Sequence, residues 1–191
     1  MMRTHTAAAL ACDTDDLSPI PPAAWVLDTN IVLDLWVFDD PATQPLRQAL
    51  GIPSGAQGQA AKALTAPLRP PWLSTPVMRE ELARVLAYPH LVRRQALDRR
   101  VALEVLAAYD RCVTVCAPAS KVPYVCRDAD DQKFIDLAVT HASHQAPLIL
   151  LSKDHAVLRL RKRLRHVGVW VGSCWPLSPS PMATSAPAAA L

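Results

Sequence analysis

Short apolar runs punctuate this chain at Trp25 to Leu27, Val113 to Cys116, Leu148 to Leu151 and Val167 to Val171. Each is too short for a stable helix but suits a strand whose two faces are both covered. Helical stretches separate them. Ile31 to Phe38 begins one, and Thr75 to Ala87 forms another, with Thr75 able to cap it and Pro76 suited to the first helical position. Leu91 to Tyr109, Asp131 to Ala142 and Ala156 to Leu164 complete the series. Strands alternating with helices predict an α/β fold, a parallel sheet covered on both faces. Residues 41 to 71, rich in Pro, Ala, Gly and Gln, give no clear period and suggest a short helix plus an insertion loop.

A chain of 191 residues can bury one substantial core. With 51% apolar residues but only 5% aromatics, that core is built mainly from Leu, Val and Ala. Residues 1–22 read as a flexible tail, 23–175 as the folded domain, and 176–191 as a disordered Pro/Ala/Ser-rich tail. Five cysteines, odd in number and without a C-x-x-C pair, suit reduced thiols better than a disulfide framework. Cys112 and Cys116 would face one side of a shared strand. The apolar patch Ala7 to Cys12 is short for a secretory signal, and no stretch approaches a membrane span. A cytoplasmic protein is expected. The net charge of +3 is small, but Lys153 to His166 carries six Lys or Arg against one Asp. Such a strip is either a solvated helix face or a surface for polyanions.

Acidic residues stand where the apolar runs end or helices begin: Asp28, the Glu80-Glu81 pair, Asp130-Asp131, and Asp154. Carboxylates at the ends of buried elements are costly unless something positive meets them. In a parallel sheet the working site lies beyond the carboxyl ends of the strands, near the switch in strand order. Asp28 directly follows one strand and Asp154 lies three residues after another, so both belong to one rim. At about 100° per residue, Met78, Leu82, Val85 and Leu86 share an arc that Glu81 flanks and Glu80 faces away from. The same construction puts Asp131 near the middle of the arc of Phe134, Ile135, Ala138 and Ala142, with Asp130 at its margin. A helix-dipole partner would explain any one acid alone, but not four at strand and helix ends. The joint pattern points to a divalent metal.

Four stretches together resemble one family. Val26 to Asp34 (Val-Leu-Asp-Thr-Asn-Ile-Val-Leu-Asp) resembles the opening strand of PIN-domain ribonucleases, which ends in their first metal-binding Asp. Thr75 to Leu86 is similar to the helix bringing the second acid, Cys126 to Ala138 to the stretch around the third, and Leu150 to Leu158 to that around the fourth. The likeness spans roughly residues 24 to 172, and is nearest to the toxin components of toxin–antitoxin systems. It implies a PIN-like three-layer α/β/α fold with a short central parallel sheet. It also implies hydrolysis of single-stranded RNA with Mg²⁺ or Mn²⁺, leaving 5′-phosphate and 3′-hydroxyl ends. Carried over, Asp28, Glu81, Asp131 and Asp154 form the catalytic and metal-binding set, while Asp128 and Asp130 crowd Asp131. Asn30 would orient Asp28 or a metal-bound water, and Ser152 matches a small hydroxyl position. Arg159, Arg161, Lys162, Arg163 and Arg165 would hold RNA phosphates. An antitoxin protein and a homodimer are the partners the resemblance suggests, and a membrane is not.

Other chemistries are poorly supported. The pair His141 and His144 lacks Cys or His partners at zinc-site spacing. No Gly-rich phosphate loop and no Gly-x-Ser-x-Gly turn occurs. A nucleophilic-Asp phosphatase wants a second acid where Asn30 stands. The competing class is a non-catalytic RNA-binding or regulatory module on the same fold.

Overall fold

A computed structural model of the chain describes residues 22–52, 70–94 and 99–176. Of the expected tails 1–22 and 176–191, all but residues 22 and 176 lie outside the described residues, as does most of the expected insertion loop. The elements run β1 (Ala24–Leu27), α1 (Thr29–Trp36), a 3₁₀ turn (Pro41–Thr43), α2 (Gln44–Ala49), β2 (Trp72–Ser74), α3 (Pro76–Leu86), α4 (Pro89–Arg94) and α5 (Arg99–Cys112). They continue with β3 (Val113–Val115), α6 (Gln132–His141), β4 (Leu148–Leu151), α7 (His155–Leu158), α8 (Arg161–Arg165) and β5 (Val169–Gly172).

Among the described residues, five strands form one parallel sheet in the order β3-β2-β1-β4-β5. Side chains alternate across a strand, and here both sides are apolar. Trp25 and Leu27 of β1, with Ile149 and Leu151 of β4, enter a core built with α1, α2, α3 and α5. Ala24 and Val26, with Leu148 and Leu150, enter a second core against α6, α7 and α8. The sheet is therefore sandwiched between two helical layers, the α/β/α architecture expected. Trp72, fully buried, anchors the first core: its ring stacks on Trp36 at 5.6 Å and meets Tyr109 edge-on at 5.1 Å.

Some elements differ from expectation for local reasons. Strand β2 lies wholly between Pro71 and the cap residue Thr75, too short to show a period in sequence. It joins the sheet because Trp72 and Leu73 bury on opposite faces. Of the helix expected over Leu91–Tyr109, the described parts are α4 and α5, and residues 95–98 between them lie outside the described residues. The basic helix expected over Ala156–Leu164 breaks in two at a tight turn where the Leu160 amide donates to Val157 O at 3.0 Å. That turn keeps Val157, Leu160 and Leu164 all on the second core. Cys112 closes α5 and buries in the first core, whereas Cys116 packs beside the second. They do not share a side, because the change from helix to strand between them breaks the two-residue alternation.

Gly168 makes the turn into β5 with φ of +81°, and a Cβ there would lie 2.3 Å from Ser143 O. No helix among the described residues is long and apolar enough to cross a membrane.

Candidate active site

The order of the strands locates the rim. From β1 the chain steps outward through β2 to β3, then returns to the other flank of β1 as β4. The carboxyl ends of β1 and β4 are thus neighbours at the switch point, where ligands gather in open α/β sheets. Leu27 pairs with Leu151, so the next residues, Asp28 and Ser152, leave the sheet side by side. The Asp28 amide donates to Leu151 O at 2.9 Å, holding the two ends together.

Asp28 is only 4% exposed, and its Oδ2 accepts from both Ser152 Oγ and Asn30 Nδ2, the latter at 2.9 Å. Asn30 Oδ1 in turn accepts from the Lys153 amide at 3.2 Å, and Ser152 Oγ from the Asp154 amide at 3.0 Å. One polar mesh therefore joins the turns after β1 and β4. Burial raises the Asp28 carboxyl above its ordinary value and the Glu81 charge adds to the rise, opposed by the Ser152 hydrogen bond and backbone donors at Asn30 and Thr29.

Asp131 is positioned differently. It sits at the N-cap of α6, yet its side chain makes no capping hydrogen bond, and its Oδ2 is buried without a partner. Burial, then the charges of Asp28, Asp154 and Asp128, push its carboxyl up to about 7 from 3.8, with Lys133 pulling the other way. Capping therefore does not account for this acid. The crowding acids are both exposed: Asp128 accepts from the Asp130 amide at 2.9 Å, and the Asp130 carbonyl accepts from Lys133. Asp154 caps α7, accepting from the Ala156 amide at 2.6 Å.

Glu81 projects from α3 while Glu80 is exposed. Its Oε1 accepts from Thr29 Oγ1 at 2.7 Å, and its Oε2 pairs with the Lys133 ammonium. The structure therefore brings Asp131 within electrostatic reach of Asp28 and Asp154, and Glu81 within reach of Asp28, while Glu81 also pairs with Lys133. As the side chains stand, no three His, Cys, Asp or Glu groups among the described residues converge as a metal cage.

The basic strip lies on α7, α8 and the turn between them, and α8 packs over the edge strand β5. Arg165 covers the Trp170 ring at 4.4 Å and Arg163 faces Tyr124 at 5.6 Å, while Arg159 and Lys162 are exposed and Arg161 is half-buried. His141 and His144 are both exposed.

Asn30 and Ser152, expected beside Asp28, both bond it, but sequence reasoning missed other supporting residues. Lys153 leaves the acid cluster and pairs with Asp34 at 2.6 Å and Asp40 at 3.4 Å, tying the β4–α7 turn to α1. Gln132 and Asp136 pin the segment before α6: Gln132 accepts from the Cys126 amide at 2.7 Å and Asp136 from the Val122 amide at 3.1 Å. Lys133, Lys153, Asp34 and Asp136 all stand inside the stretches quoted above, but their partners come from distant segments that spacing alone does not pair.

One buried and several half-buried carboxylates at the switch point of an α/β/α sheet define a protein with an acidic site at its carboxyl rim. A PIN-domain family model matches residues 24–155, and the chain belongs to the PIN-domain family. No curated protein matches it. Proteins of this family are generally nucleases acting on nucleic acid, and typically use divalent metals. The residues present fit such an ion. Their donors are hard carboxylate oxygens, one of them buried and unpartnered, and their mutual repulsion is what a bound cation would relieve.

Proposed function

We propose that the protein is a metal-dependent endoribonuclease that hydrolyses phosphodiester bonds of single-stranded RNA, leaving 5′-phosphate and 3′-hydroxyl ends. The observation that carries this reading is the Asp131 carboxylate, one oxygen of which is buried without a partner, raised by burial and by the charges of Asp28 and Asp154. Asp28, Glu81, Asp131 and Asp154 would hold Mg²⁺ or Mn²⁺, for which carboxylate oxygens are suited ligands. When bound, such an ion activates water and stabilises the charge that develops on the departing oxygen.

The remaining work falls to the chain itself. Ser152 and Asn30 hold Asp28 Oδ2 from two directions, so this carboxylate needs little reordering before it acts. Asp154 is held by its own cap bond to Ala156. Arg159, Arg161, Lys162, Arg163 and Arg165 would track the phosphate backbone, a contact sensitive to salt and largely blind to sequence.

Cleavage of a labelled single-stranded RNA in Mn²⁺, Mg²⁺ or EDTA, beside Asp28→Asn, tests the reading. Metal-dependent cutting lost in the variant is the expected result, because an amide keeps the shape and loses the charge. Wild-type turnover in Asp28→Asn would sink the site assignment. RNA binding with neither cleavage nor Mn²⁺ binding would instead identify a non-catalytic RNA-binding module. A role as a cytoplasmic toxin predicts growth arrest on induction, relieved by Asp28→Asn and by a cognate antitoxin protein. A homodimer would show as twice the chain mass in light scattering.

A further inference from the structure

Among the cations near the rim, Lys153 is committed to Asp34 and Asp40, whereas Lys133 reaches a carboxylate of the candidate metal set. Lys133 stands in the first turn of α6, two residues beyond Asp131, and its ammonium pairs with Glu81 Oε2 on α3. The same ammonium donates to Asp130 O and lies 4.6 Å from the Phe134 ring centroid. The Lys133 and Glu81 side chains are 19% and 16% exposed, so water screens this pair less than an ordinary surface pair. With Thr29 on Oε1, both Glu81 oxygens are already engaged.

We propose that Lys133 is the resident counter-cation of the acid site, and that a divalent ion displaces it from Glu81 to complete the ligand set. This inference rests on the metal-site reading above. It accounts for the Lys133–Glu81 pair: a compact ammonium on a flexible stem neutralises a carboxylate that the neighbouring acid Asp28 can only repel. Displacement frees the ammonium beside an open cleft of about 370 Å³ that Val77, Glu80, Arg84, Ala129 and Asp130 also line. Metal loading would thus deliver a cation to the place where an RNA phosphate can meet it. Lys133 acts here as a positioning residue. A purely structural pin between α3 and α6 is the rival, and the two differ in sign: losing a pin loosens the metal site, whereas losing a competitor tightens it.

Calorimetric titration of the full chain with Mn²⁺ alone separates them, using wild type, Lys133→Gln and Glu81→Gln. Lys133→Gln is expected to bind about fivefold tighter, since a like charge beside the ion is removed in partly screened surroundings. Glu81→Gln is expected to bind more weakly. A second readout uses only the wild type: acetylation of Lys133, followed by mass spectrometry, should rise when Mn²⁺ replaces EDTA. Equal or weaker binding by Lys133→Gln, or unchanged labelling of Lys133, overturns the displacement and leaves the metal site standing if Glu81→Gln is still impaired. Unimpaired Mn²⁺ binding in Glu81→Gln and Asp28→Asn, or none by the wild type, overturns both.

Discussion

Asp131→Asn should make the metal-free protein more stable at alkaline pH while abolishing the activity proposed for it. The carboxyl is raised from 3.8 to about 7, first by burial and then by Asp28, Asp154 and Asp128. A group raised on folding contributes stability that is fully present below 3.8 and is lost as the pH climbs through about 7. At roughly 1.4 kcal/mol per pH unit the unscreened loss approaches about 4 kcal/mol. Asp131 is partly exposed, so water screening reduces this to about 1–2 kcal/mol. Asparagine carries no charge at any of these pH values and keeps nearly the same shape. In EDTA, then, urea unfolding should give similar stability for variant and wild type at pH 4. A gap of about 1–2 kcal/mol in favour of the variant should open between pH 4 and 7 and persist at pH 8. Added Mn²⁺ should raise the stability of the wild type and leave Asp131→Asn nearly unmoved. A variant no more stable than wild type at pH 8 would refute the reasoning, because burial of the charge and its repulsion by the neighbouring acids would then cost the fold nothing.

Three other substitutions test the frame around the site. Ser152→Ala removes a fully buried hydroxyl that donates to Asp28 and accepts from the Asp154 amide; about 1–3 kcal/mol of stability should be lost in urea titrations, with Mn²⁺ affinity falling alongside. Trp72→Ala should cost about 3–5 kcal/mol, read as a lowered denaturation midpoint, since the ring is wholly buried between Trp36 and Tyr109. Gly168→Ala forces a side chain into positive φ and onto Ser143 O, so thermal melting should show a loss of about 1 kcal/mol or more, and wild-type stability would contradict the turn described.

Much of the architecture was legible because the physics behind it is local. Apolar runs as short as Trp25 to Leu27 and Leu148 to Leu151 suit buried strands, and the helical periods between them point to a parallel sheet. An acid directly after β1, and another three residues after β4, belong to one rim because all strands of a parallel sheet end on the same side. Helix geometry likewise separated Glu81 from Glu80, since the apolar arc of α3 is written in its spacing. Strand β2 was not legible: three residues carry no period, and only its neighbours β1 and β3 make Trp72–Ser74 a strand. The break between α7 and α8 was hidden too, because continuous helix and tight turn both satisfy the spacing of Val157, Leu160 and Leu164.

The sequence by itself therefore determined the class of fold, the rim on which the acids stand and the residues that compose the acidic stretches. Tertiary structure alone decided the partners. It set Ser152 beside Asn30 on one oxygen of Asp28, an oxygen the local Asn30 contact alone would leave half-held, sent Lys153 to Asp34 and Asp40, placed Lys133 on Glu81, and left Asp131 Oδ2 buried with nothing to bond. Side-chain pairing across segments depends on strand order and on which face each element buries. A chain encodes these only through the collective packing of its two cores.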